Sequence, residues 1–246
     1  MSFEYKSEDA PEVEDAEPGN SAQIQTTVPY YTVILIAAIA AVFIVQIGTD
    51  LESSILAAGF VKPAFITGRE YWRILTGATT HGSILHVVMN CYAFYSFGKI
   101  FEMLSNRAHL VLVLLLSAIG GGVLSLIFAP DGISVGASGG IVGVIGYLAV
   151  YAFRRRQFIS PEFRKNLLIN IGFIILFGLA LYQVIDNFGH IGGLATGVVY
   201  GLLQIPSDEY VDPRMTNSAV NLLGLAALGI YLAACLFSIL LILRVV

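Results

Sequence analysis

The chain has 246 residues, of which 57% are hydrophobic and only 12% charged, whereas soluble domains carry about 45–50% apolar and about 25% charged residues. The apolar residues come in uncharged runs of membrane-spanning length, which excludes a soluble enzyme, a nucleic-acid binder and a disulfide-stapled secreted domain. A formal net charge of −4 offers phosphate backbones no attraction, and Cys91 and Cys235 both fall inside apolar runs, facing lipid or core rather than a metal or each other.

Residues 1–27 set Glu4, Glu8, Asp9, Glu12, Glu14, Asp15 and Glu17 against Lys6, with Pro11, Pro18 and Gly19 between them. Such a segment reads as a solvated, disordered acidic tail and not as a secretory leader, which needs a basic start and an immediate apolar stretch. At about 20 apolar residues per span, seven runs follow: 28–49, 82–98 extended to about 103, 109–128, 136–153, 166–185, 189–205 and 218–243. The fold class is therefore an all-α polytopic membrane protein; the ~10-residue alternating segments of a transmembrane barrel are absent. A six-helix domain over 28–205 is followed by a linker and a seventh helix over 206–246. The long connection 50–80 mixes Lys62, Pro63, Arg69, Glu70, Trp72 and Arg73 with Phe60, Phe65 and Tyr71, the composition of an interfacial segment half in the headgroups.

Cations orient the bundle. Arg154, Arg155, Arg156, Arg164 and Lys165 crowd one connection, and Lys6, Lys99, Arg107 and Arg214 fall on the same side, against Lys62, Arg69, Arg73 and Arg244 on the other. The richer side reads as cytoplasmic, which places the amino terminus inside and the 50–80 loop outside.

With that orientation the second, fourth and sixth spans carry unusual residues at their outer ends. The second begins at His81 and places His86 and Asn90 four apart on one helix face; the fourth begins Gly136-Ala137-Ser138-Gly139-Gly140; the sixth begins Asp186-Asn187-Phe188-Gly189-His190. Gly189, Gly193, Gly197 and Gly201 recur every four residues, and Gly136, Gly139, Gly140, Gly143 and Gly146 line the fourth span. Small residues at such spacing let helix backbones approach closely, which would bring Ser138 and His190 within reach of each other. Serine with histidine is the pairing of a nucleophile and its general base. Backbone N–H groups around Gly136, Ser138 and Gly139, with His86 and Asn90, would then bind an oxyanion.

Plainer readings stand beside this one. Glycine strings serve helix packing on their own. His81 and His109, near span ends, read as interfacial. Asp186, four residues before His190, reads either as a third triad member or as a helix N-cap, with the cap favoured by its place at a helix start. His81, His86 and His190 lack the acidic or thiolate partner and the spacing of a zinc site.

Taken together the motifs resemble those of the rhomboid family of intramembrane serine proteases. The resemblance rests on Glu70-Tyr71-Trp72-Arg73, His81-x4-His86-x3-Asn90, Phe97-Gly98-x3-Glu102, Gly136-Ala137-Ser138-Gly139 and Gly189-His190-x2-Gly193, in that order over about residues 70–205. It implies a six-plus-one helix arrangement, Ser138 as nucleophile, His190 as base, His86 and Asn90 as oxyanion donors, and Trp72, Arg73, Glu102, Gly193 and Gly197 as structural motif residues. No cofactor or metal is implied; the partners would be transmembrane protein substrates within a lipid bilayer, here a bacterial plasma membrane. The family often places an aromatic ring four residues after the serine, stacked on the histidine. This chain has Val142 there, with Tyr147 and Phe188 as the rings that would take over. The competing class is a catalytically inactive rhomboid-like protein that binds membrane helices, or a transporter; a transporter would show inverted repeats of broken helices, which the sequence lacks.

Overall fold

A computed structural model describes residues 28–208 and 210–245, so the acidic tail expected over 1–27 lies outside the described residues. Seven long helices stand where the seven apolar runs lie: α1 Tyr30–Gly48, α5 Ile84–Leu104, α6 Arg107–Phe128, α7 Ser138–Arg154, α8 Pro161–Ala180, α9 Asn187–Gln204 and α10 Ser218–Ile242. The 50–80 connection contributes three short helices, α2 Leu51–Ala58, α3 Lys62–Thr67 and α4 Arg73–Thr76, and strand β1 Phe60–Val61, which pairs antiparallel with β2 Ile133–Ser134 in the register Phe60↔Ser134 and Val61↔Ile133.

Polar caps fix most of the helix starts. Ser83, Asn106, Ser160, Asp186 and Asn217 each accept a backbone N–H from the first turn of α5, α6, α8, α9 and α10, satisfying donors that have no intrahelical partner. The fifth span is displaced from its expected position: α8 begins at Pro161, five residues before the apolar run at 166. Ser160 caps it and Pro161 occupies the first turn, where its missing N–H costs nothing; hydropathy marks the lipid-facing part of a helix and not its beginning.

α1, α6, α8 and α10 are long and apolar enough to cross a membrane by composition alone. The other three, α5, α7 and α9, are the helices that carry the candidate site residues, and their apolar character is diluted by histidine, asparagine and glycine. At 17 residues and about 1.5 Å per residue, α7 is also shorter than a full crossing of about 30 Å.

The core lies where α6, α7 and α9 meet. A β-carbon on Gly193 or Gly197 of α9 would lie 2.0 Å or 1.9 Å from the carbonyl oxygens of Gly139 and Gly143 on α7. On another face, one on Gly192 would meet the Gly120 carbonyl of α6 at 2.6 Å. Helix α9 is thus clasped between α6 and α7 through glycine. The Gly120-Gly121-Gly122 run of α6, half of this arrangement, went unused in the reading of the sequence.

Motif residues outside this core tie elements together. Glu102 of α5 accepts hydrogen bonds from Thr32 N (2.8 Å) and Thr32 Oγ1 (2.7 Å), so it caps α1 from a neighbouring helix. Gly98 makes room for it, since a side chain there would strike Thr32. Arg73, buried at the start of α4, donates from Nη1 to the Leu56 and Gly59 carbonyls at 3.0 and 2.8 Å and pairs through Nε with Glu70. Trp72 stays partly exposed and meets Phe237 of α10 edge-on at 5.9 Å. By contrast α8 is loosely held: of its 20 residues only Leu167 and Gly178 are buried.

Candidate active site

Ser138 is the first residue of α7, and His190 stands one turn into α9. Their side chains meet: His190 Nε2 and Ser138 Oγ are 2.8 Å apart. The glycine clasp produces this contact, because it lets the two backbones close to a distance that any β-carbon would forbid. For Nε2 to accept the serine proton, the imidazole must carry its own proton on Nδ1. Among the described residues that buried atom has no hydrogen-bond partner, so Ser138 and His190 meet with no third side chain behind the ring.

Asp186 does not complete a triad. Its Oδ1 accepts from Gly189 N at 2.8 Å, the N-cap role, and its Oδ2 accepts from the hydroxyls of Ser125 on α6 and Ser134 on β2, each at 2.5 Å.

The segment leading into α7 turns on a glycine whose N–H is already engaged and so is not free to bind an oxyanion. Gly136 has φ of +118°, a conformation open to glycine alone, and its N–H donates to the Gly77 carbonyl at 2.9 Å. Among the described residues no side chain caps α7. Among the seven long helices α1 also lacks a cap of its own but receives Glu102, which leaves the first-turn N–H groups of α7, beside Ser138, open at the site.

His86 packs over Gly136: a β-carbon there would fall 2.7 and 2.8 Å from its ring atoms Cε1 and Nε2. The Gly82 N–H approaches His86 Nδ1 at 3.5 Å, a long contact that favours the tautomer with the proton on Nε2, the nitrogen nearest Gly136. Asn90, 6% exposed, donates from Nδ2 to the His86 carbonyl at 2.9 Å, and so joins the site through the backbone that carries His86.

Several expectations are corrected here. Neither Tyr147 nor Phe188 stacks on His190. Tyr147 lies on Phe101 at 4.3 Å with its hydroxyl 2.8 Å from Ser105 Oγ, and Phe188 stacks on Phe128 at 4.9 Å; each ring is held by a partner from a helix that spacing alone could not identify. Instead of a ring, an apolar cleft of about 50 Å³ borders His190, walled by Val142, Ile171, Ile175, Leu179 and Ile191.

His81 and His109, expected near span ends, both lie inside the bundle. His81 is fully buried, with its ring edge-on to His86 at 5.1 Å and its backbone exchanging hydrogen bonds with the Gln46 side chain. His109 is 5% exposed, its Nδ1 2.8 Å from the Tyr200 hydroxyl. Of the two cysteines, Cys235 is buried and Cys91 half-buried.

Comparison with known proteins places this geometry in context. A family model described as Rhomboid domain matches residues 68–207, more than half the chain. The chain is 32% identical over 222 residues to Rhomboid protease GluP of Bacillus subtilis (strain 168), covering 89% of this chain and 43% of that protein. It is 36% identical over 156 residues to RHOMBOID-like protein 6, mitochondrial, of Arabidopsis thaliana, covering 63% and 50%. With Rhomboid-like protease 3 of Toxoplasma gondii it shares 31% identity over 149 residues, 60% of this chain and 57% of the relative. The chain thus spans about half the length of the curated relatives it matches.

Proposed function

The chain belongs to the rhomboid family, and from that premise we propose that it is an intramembrane serine endopeptidase that cleaves transmembrane segments near their outer ends. The observation that carries this reading is the 2.8 Å contact between Ser138 Oγ and His190 Nε2 at an uncapped helix start. The reaction is acyl transfer. Ser138 Oγ attacks the scissile carbonyl while His190 takes its proton, and the oxyanion rests on the first-turn N–H groups of α7 and on His86 Nε2, with Asn90 as a further donor. His190 then returns its proton to the leaving amine, and water, deprotonated by the same base, releases the acyl group from Ser138.

A helical substrate hides its carbonyls in i to i−4 hydrogen bonds, so the scissile region must open first. This favours spans weakened by glycine or proline, with a small residue at the cleaved bond. The protein acts in the bilayer, in our reading a bacterial plasma membrane with the amino terminus in the cytoplasm. Arg154, Arg155, Arg156, Arg164 and Lys165, at the end of the bundle opposite Ser138, support that orientation.

Labelling by a serine-directed fluorophosphonate tests the proposal. Wild type should take the probe and Ser138→Ala should not; co-expression with single-span membrane proteins should yield a fragment that disappears in Ser138→Ala. A wild-type protein inert to probe and substrates would point to the non-catalytic class.

A further inference from the structure

Glycine seams set how closely two helices approach, and the side chains that pack across this one, Leu194 and Val198 of α9 over Gly146 of α7, lie one to two turns beyond His190. The Ser138–His190 contact needs register as well as distance at its own level, where among the described residues His190 Nδ1 has no partner and no carboxylate holds the ring from behind.

Asp186 is placed to supply that register. It lies four residues before His190, and Ser134, which donates to its Oδ2, lies four residues before Ser138. The same oxygen holds Ser125, fully buried on α6, while the other oxygen caps α9 through Gly189 N. One carboxylate therefore bonds the helix of the base, the strand that leads to the nucleophile and the helix behind both. Lys62, buried next to β1, faces this charge; burial pushes its ammonium below the usual lysine range and Asp186 opposes that shift. A cap alone would need only the Gly189 contact.

We propose that Asp186 is a positioning residue whose carboxylate, by clamping Ser125 and Ser134 to the start of α9, fixes the register between the segment carrying Ser138 and the helix carrying His190. The proposal rests on the Ser138–His190 reading and adds to it a carboxylate that bonds neither of those side chains.

The double variant Ser125→Ala/Ser134→Ala removes the clamp and leaves the cap. Asp186→Asn keeps a good capping side chain but loses the charged acceptor that the two hydroxyls share. Both should lower kcat on a model span and the rate of fluorophosphonate labelling by about 10²-fold, the scale of a ~1 Å misplacement. KM should stay near wild type; the unfolding midpoint should fall modestly, because the carboxylate loses two donors, but the loss of kcat and labelling should persist well below that midpoint, and restoring a hydroxyl with Ser134→Thr in the double variant should recover part of the loss. Unchanged labelling and kcat in both variants would leave Asp186 as a cap and overturn the proposal. So would a loss of activity that merely tracks a fallen unfolding midpoint, which would make the cluster a fold staple. A wild-type protein that takes no probe would instead overturn the dyad itself, so the two failures are distinguishable.

Discussion

A β-carbon on Gly193 would lie 2.0 Å from the carbonyl oxygen of Gly139, a separation that no folded protein tolerates, and Gly139 is the residue next to Ser138. The contact that brings α9 to α7 therefore sits within one residue of the nucleophile and one turn of His190. Gly197 repeats it against the Gly143 carbonyl at 1.9 Å, while Gly201 meets no backbone, only the Val150 and Tyr147 side chains at 3.1 and 3.4 Å.

Substitution along this seam should have graded effects. Gly193→Val and Gly197→Val must push α9 off α7, and a base displaced by ~1 Å costs about 10²-fold in rate; proteolysis and probe labelling should fall together. Gly201→Val has a neighbouring side chain that can give way and should be milder. Cleavage of a model span and fluorophosphonate labelling, measured on the same preparations, check the ranking. Wild-type labelling in Gly193→Val would mean the seam is not what positions the base.

Ser138→Ala and His190→Ala should each abolish turnover without loss of membrane insertion, and the double variant should be no worse than either single one, because nucleophile and base act as a unit. Single-turnover cleavage assays on the three proteins test this. Additive losses would show that the two side chains work independently.

Legibility in the sequence followed the range of the interaction. The seven spans, the four-residue glycine repeat of α9 and its match to Gly139 and Gly143 are periodic, and periodicity is visible in one dimension. Asp186 was legible as a cap because its partner Gly189 is three residues away. Its partners Ser125 and Ser134 are 61 and 52 residues away and leave no spacing signal, so two of the three hydrogen bonds to its carboxylate were invisible. The burial of His81 and His109 was hidden for a related reason: their partners Gln46 and Tyr200 come from other helices. The start of α8 was a different case, since Ser160-Pro161-Glu162 is a readable helix start that a count of apolar residues passes over.

The oxyanion donors should show in kcat. His86→Ala removes a ring that packs on Gly136, and Asn90→Ala removes an amide that steadies the first turn of α5; donors of this kind are each worth about 10²–10³ in turnover. KM should change little. Steady-state kinetics of both variants on a model span separate the roles, and a change confined to KM would reassign the residue to substrate docking.

One guanidinium joins several parts of the 50–80 loop. Arg73 donates to the carbonyls of Leu56 and Gly59 and pairs with Glu70, so it stitches the end of α2 to the start of α4 across β1. Arg73→Ala would take the guanidinium from the Leu56 carbonyl and the Glu70 carboxylate and leave the Gly59 carbonyl only its bond from Val61 N, and a buried polar group left unpaired costs about 1–3 kcal/mol. Because Phe60 of β1 pairs with Ser134, loosening the loop should also disturb the strand that precedes Ser138. Arg73→Ala should therefore lower the thermal unfolding midpoint in detergent and reduce probe labelling. Arg73→Lys should recover only part of both, because a single ammonium cannot reproduce the fork of donors. If Arg73→Ala unfolds at the wild-type temperature and labels at the wild-type rate, the loop is held by its apolar contacts, Phe60 with Phe65 and Phe65 with Tyr71, and the guanidinium is dispensable to the site.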